Sequence, residues 1–181
     1  MDTILKTERL ILRPLRLEDA PAVERYCGSW DVARMTSRIP HPYPAGLAAE
    51  WIAGLEEGAV GGYRFAIEYE GELVGVIGLE QLRSEQFEIG YWIAEPWWGL
   101  GLATEAARRV VAFALDDLGL DQVVAGHFED NPASGRVLAK CGFRYSGEGR
   151  EWSKARGGEV ACKRFVLRRA ELRSHQQEAR A

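Results

Sequence analysis

Apolar and polar positions along the chain change period several times, and each change marks an element. Over residues 8–17 charged and apolar side chains alternate in the second half, the two-residue period of a strand with one buried face. Pro14 assigns that strand to an edge or a bulge. Glu18, Asp19, Ala20 and Pro21 offer an N-cap and an early proline for a helix reaching about Cys27. A loop rich in Pro and Tyr over 38–44 precedes a short helix over about 47–57. Residues 63–69 and 72–82 read as two strands of a hairpin turning at Glu70 and Gly71, and 87–94 as a third strand that stops before Pro96.

Beyond it, Ala103, Ala106, Ala107, Val110, Val111, Ala114 and Leu118 recur at helical spacing and predict one apolar face on a helix over about 102–118, stopped by Gly119. A strand over 122–128 and a helix over 132–140, ended by Gly142, come next. Phe143 to Tyr145 begins another strand, and Gly157-Gly158 turns a last hairpin between 150–154 and 160–167. From Arg168 onward apolar residues almost vanish, which predicts a solvated extension or frayed helix. With no repeat or linker, the pattern predicts one α+β domain over 1–167 and a charged extension over 168–181.

Composition narrows the functional classes. The chain has 181 residues, a net charge of −4 and 46% apolar content, so it lacks the basic footprint of a nucleic-acid binder. Mild acidity weakly favours a cationic partner such as an amine. Three cysteines (Cys27, Cys141, Cys162), without CxxC spacing or nearby histidine pairs, argue against a disulfide framework and against a metal site. No secretory segment opens the chain and no apolar run nears about 18 residues, so a cytoplasmic, non-membrane protein is expected.

The candidate chemistry centres on Pro96-Trp97-Trp98-Gly99-Leu100-Gly101-Leu102-Ala103-Thr104, where a strand passes into a helix through a glycine turn. Glycines without Cβ atoms let backbone turn sharply and approach a ligand, and the free N–H groups of the helix favour an anion. A Rossmann fingerprint would want Gly or Ala at Thr104, and a P-loop would want Gly-Lys-Ser/Thr; neither is present. Taken alone, the turn is equally compatible with a purely structural role.

Its flanks make it specific. Glu88-Ile89-Gly90-Tyr91-Trp92-Ile93, the turn itself with Thr104-Glu105-Ala106, Asn131-Pro132-Ala133-Ser134, and Lys140-Cys141-Gly142-Phe143 together resemble the GNAT superfamily of N-acetyltransferases. Within it the chain is similar to the RimJ/RimL branch, as are Thr7-Glu8-Arg9-Leu10 and the Asp31 to Ile52 region. The resemblance covers about 7–167. It implies a mixed, mostly antiparallel central sheet flanked by helices, and acetyl-CoA as co-substrate. It assigns the pyrophosphate signature to Trp98, Gly101 and Ala103, with backbone amides of Gly99, Leu100, Leu102 and Thr104 completing the cradle. Trp98 stands where the family commonly has Arg or Gln.

The resemblance further implies a strand that splays from its neighbour to admit the pantetheine arm, with N–H groups at Ile93 and Ala94 facing the thioester carbonyl. Acetyl transfer needs a neutral amine, so a carboxylate is useful as base. Glu88 holds the strand position of that base in some family members, and Glu151 is a second candidate. The family's tyrosine acid corresponds to Leu138, which has no proton to give. Ser134 is then the implied partner of the leaving thiolate, and Asn131 the pantetheine contact or the N-cap of its helix. The implied acceptor is a peptide N-terminus, with small-molecule amines and a non-catalytic CoA-binding module as alternatives. A monomer or a homodimer fits equally.

Overall fold

Leu10 and Leu12 point inward and Ile11 outward, and this alternation makes 10–13 a strand. The computed structural model describes residues 3–56, 61–83 and 86–170. Among them β1 (Leu5–Lys6), β2 (Leu10–Arg13), β3 (Gly62–Tyr69), β4 (Glu72–Arg83), β5 (Gln86–Ile93), β6 (Gln122–Phe128), β7 (Arg144–Ser153) and β8 (Gly158–Arg168) form one sheet in the order β1-β2-β3-β4-β5-β6-β8-β7. Every neighbouring pair is antiparallel except β5 and β6. The β3–β4 turn has both central residues left-handed, Glu70 at φ 52° and Gly71 at φ 83°, the twist that suits a two-residue hairpin.

Helices cover both faces. On one side α4 (Leu102–Ala112) and α5 (Pro132–Lys140) pack on Leu10, Phe65, Ile77, Leu79, Ile89 and their neighbours. On the other, α1 (Ala20–Cys27) and α3 (Leu47–Glu56) pack on Ala66, Val76 and Trp92. Each large side chain fully buried in these two layers contributes about 1.5–3 kcal/mol. Arg13 clamps Asp19 through two bonds of 2.8 and 2.9 Å, tying β2 to the start of α1.

The expected 8–17 strand is shorter, ending at Arg13, and a 3-10 turn (Leu17–Asp19) leads into α1. The helix expected over 102–118 runs on from α4 as a π-helical stretch (Phe113–Asp117) and stops before Gly119 at φ 73°. A four-residue helix, α2 (Trp30–Ala33), is capped by the Ser29 hydroxyl, which accepts from the Asp31 and Val32 N–H groups. It is too short to show a period in sequence. At the C-terminal end β8 reaches Arg168, and Arg169 donates to the Leu120 carbonyl at 2.7 Å. The rest of the expected extension, 171–181, and residue 57 of the expected third helix lie outside the described residues. No helix of the described residues is long and apolar enough to cross a membrane.

What positions the site is the contact between β5 and β6. It consists of Phe87↔Val123, Glu88↔Val124 and Ile89↔Ala125 and no more. Beyond Ile89, β5 stays with β4 and β6 stays with β8, so the two strands part and leave a V in the middle of the sheet.

Candidate active site

The V ends at the glycine turn. After Ala94 the chain makes a 3-10 turn (Glu95–Trp97), and Gly99 (φ 80°) and Gly101 (φ 79°) both adopt the left-handed conformation that side chains disfavour. A Cβ at Gly99 would meet nothing within 4 Å, and one at Gly101 only an Arg9 guanidinium nitrogen at 3.7 Å. Backbone conformation therefore requires these glycines, and the space above them is open. The Glu105 N–H donates to the Gly101 carbonyl at 3.1 Å. The N–H groups of Leu102, Ala103 and Thr104, ahead of it in α4, have no partner within the helix and form its positive end.

A tie from the N-terminal strands holds this turn. The Glu105 carboxylate accepts from the Thr7 hydroxyl (2.6 Å), the Arg9 N–H (2.9 Å) and the Arg9 guanidinium (2.7 Å). The same guanidinium donates to the Leu100 carbonyl at 3.0 Å. Burial would raise the Glu105 pKa, but the bonds from Thr7 and Arg9 hold it below the ordinary carboxylate value. Glu105 is thus a latch on the cradle as well as a first-turn acid of α4. The Thr7–Leu10 block marks Arg9 in the sequence, but its partner lies 96 positions away.

Trp98 is half exposed and is not a core residue; its indole N–H donates to the Ile93 carbonyl at 2.6 Å. Trp97 packs edge-on against Tyr26, with ring centroids 5.5 Å apart. The pair expected at Ile93 and Ala94 is corrected here. The Ala94 N–H is spent on the Val74 carbonyl at 2.9 Å, inside the sheet. Hydrogen-bonding direction alternates along a strand, so Ile93 and Tyr91 turn their N–H and C=O groups to the edge that β6 has left. Ile93 is the donor at the open edge.

The cleft has a volume of about 960 Å³. Ile93, Trp98, Gly99, Gly101, Leu102, Ala103 and Thr104 line it on one arm, and Asn131 and Ser134 on the other. Leu100 is the exception: its side chain points to solvent and its carbonyl is held by Arg9. Asn131 caps α5, its side-chain oxygen accepting from the Ser134 N–H at 3.1 Å. The Ser134 hydroxyl lies 2.9 Å from the Tyr91 hydroxyl. Burial pushes the Tyr91 phenol well up, against the opposing effect of that bond, so it keeps its proton. Leu138 is buried in the core. His127 stacks on Phe165 and fills the space beside Gly135, where a Cβ would meet its Nε2 at 2.8 Å. Cys141 is buried, and burial pushes its thiol up to about 11, which removes it as a nucleophile at neutral pH.

Glu88 stands on the opposite face of the sheet from Tyr91, because successive strand residues alternate. Burial raises its pKa, the nearby Glu151 adds to the rise, and Arg164 opposes it. Arg164 contacts both carboxylates, Glu88 at 3.3 Å and Glu151 at 2.8 Å. Across β4, Glu80 pairs with Arg38 and with Arg64 (3.3 Å). The roof over this end is the β7–β8 turn docked on the loop after α2. The Lys154 N–H donates to the Ser37 carbonyl at 3.0 Å, and Arg156 donates to the Arg34 carbonyl at 2.9 Å. Among the described residues no group of three His, Cys, Asp or Glu is arranged to hold a metal ion.

Comparison with known proteins meets this geometry. The profile described as "Acetyltransferase (GNAT) domain" matches residues 9–144. An uncharacterized N-acetyltransferase, YoaA, of Bacillus subtilis (strain 168) is 34% identical over 170 residues, covering 87% of this chain and 92% of its own. The ribosomal protein uS5 alanine N-acetyltransferase of Escherichia coli (strain K12) is 26% identical over 165 residues, 82% of this chain and 81% of its own. Among solved structures, Mycobacterium smegmatis RimJ in complex with CoA-disulfide superposes with a TM-score of 0.79 at 22% identity, over 94% of this chain and 88% of that one.

Proposed function

The chain belongs to the acetyltransferase (GNAT) family, among RimJ/RimL-like relatives, and is an N-acetyltransferase; from that premise we propose that it moves an acetyl group from acetyl-CoA directly to the α-amine of a peptide N-terminus. The observation that carries the reading is the parting of β5 and β6 beyond Ile89, with the Tyr91 and Ile93 N–H groups facing the gap and the glycine turn at its end. That opening suits an arm with amide groups and a pyrophosphate, and a structural neighbour is described with CoA.

In this reading acetyl-CoA supplies the activated acyl carbon. The amides of Leu102, Ala103 and Thr104 receive the pyrophosphate. The Ile93 N–H meets the thioester oxygen as negative charge builds on it. Glu88 takes a proton from the amine as the N–C bond forms, and the Ser134 hydroxyl donates to the sulfur as the C–S bond breaks. Glu88 and Ser134 lie on opposite faces of the gap, so the amine enters from one side while the thiol departs toward the other. The α-amine is favoured over lysine because its reference pKa is about 8 against about 10, so it asks less of its base. The uS5 alanine acetyltransferase among the relatives supports the same acceptor.

Release of CoA with N-terminal peptides and with small amines tests the proposal. Glu88→Gln is expected to lower kcat by about 100-fold or more while the Kd for acetyl-CoA holds. Unchanged turnover removes Glu88 from the base role. Binding of acetyl-CoA by the wild type with no CoA release from any amine would replace the enzyme reading with a binding module.

A further inference from the structure

In the three central strands, the face that carries Glu88 has glycine at Gly78 on β4, Gly90 on β5 and Gly126 on β6. Two are explained by the protein itself. A Cβ at Gly78 would come within 2.7 Å of the Arg64 side chain, and one at Gly126 within 3.1 Å of the Arg164 guanidinium. Both arginines lie flat over backbone that has no side chain to lift them. Gly90 differs. No atom stands within 4 Å of its Cβ position, its φ is not in the left-handed region, and it is the exposed residue of a central strand.

Glycine weakens a strand interior, and its usual reasons there are a bulge, a bend or the close approach of another molecule. The β4–β5 register is regular through Gly78↔Gly90, which removes the first two reasons. The third remains, and the position says what approaches. Gly90 lines the cleft between Glu88 and Trp92, which share its face two residues to either side, about 7 Å away along the strand.

We propose that Gly90 is the acceptor-specificity position of this cleft: the slot left by its missing side chain seats a substituent on the amine-bearing carbon of the acceptor. The inference rests on the transferase reading above and deepens it. A linear primary amine has one chain leaving its CH2 group, and that chain can leave by the cleft mouth. An α-amine of any residue but glycine has two, a side chain and a carbonyl, and the second needs room beside the base. An empty Cβ position next to Glu88 is that room. The substrate class is therefore a branched α-amine, at a peptide or amino-acid N-terminus.

The test is Gly90→Ala in the full chain, assayed with an alanyl peptide, a glycyl peptide and a linear alkylamine. The added methyl meets no protein atom, so the melting temperature should hold or rise, and the acetyl-CoA Kd should hold. The slot predicts a fall in kcat/KM of about tenfold or more for the alanyl peptide and less than about threefold for the other two. Equal losses on all three acceptors, or none, overturn it. So does a loss confined to acetyl-CoA affinity, which would mean that the thioester arm is what approaches Gly90. A wild type that acetylates no amine fails at the transferase reading and takes this inference with it. A wild type that is active but indifferent to Gly90→Ala refutes the slot alone.

Discussion

Arg164 opposes the upward shift of Glu88, the base of the proposed reaction. It touches Glu88 and Glu151 together, and its charge opposes the rise that burial and Glu151 impose on Glu88. The sign of its removal follows. In the proposed reaction Glu88 must be ionised to accept a proton, so activity should fall as pH drops through its pKa. Arg164→Met keeps the stem and deletes the charge, which raises that pKa further. The acid limb of kcat/KM should move to higher pH by about one unit or more, and Arg164→Lys should restore most of the shift. A limb that stays in place would mean that Glu88 does not carry it. Glu88 was visible in sequence because it sits in a recognisable strand block. Tyr91 lies in the same block, but its hydroxyl bond to Ser134 spans 43 positions and the Arg164 contact with Glu88 spans 76, and neither pairing has a local signal.

Between elements, the decisive join is Glu105. One carboxylate connects the N-terminal strands to the first turn of α4, and Arg9 continues the connection to the Leu100 carbonyl. Glu105→Ala should cost about 1–3 kcal/mol in urea denaturation through the unmade charge-assisted bonds. It should also raise the acetyl-CoA Kd, since the cradle amides lose their brace. Lost stability with unchanged affinity would confine Glu105 to folding. At this scale much was legible. Two-residue and helical periods gave strands and helices close to their observed ends, and Gly119 gave a stop. What escaped was α2, too short for any period; the parting of β6 from β5 was implied by the family resemblance alone, since a strand's pattern does not say where its neighbour lets go.

At the scale of the whole molecule, the sheet itself joins β1–β5 to β6–β8–β7 through three residue pairs, with side-chain and loop contacts around them. A ligand lying in the gap bridges both halves, so it should stabilise the fold as a unit. At about 100 times its Kd, acetyl-CoA is worth about 2.7 kcal/mol, or about 5–10 °C in Tm for a chain of this length. No shift would mean that the gap is not its seat. The same parting gives the protein something most sheets lack, an interior edge whose amide hydrogens face no strand. In deuterated buffer Tyr91 and Ile93 should exchange early, from the centre of the molecule rather than its rim, and slow only when the gap is filled. If acetyl-CoA is the ligand proposed above, limited proteolysis of this chain should slow when it is added, because it covers that interior edge.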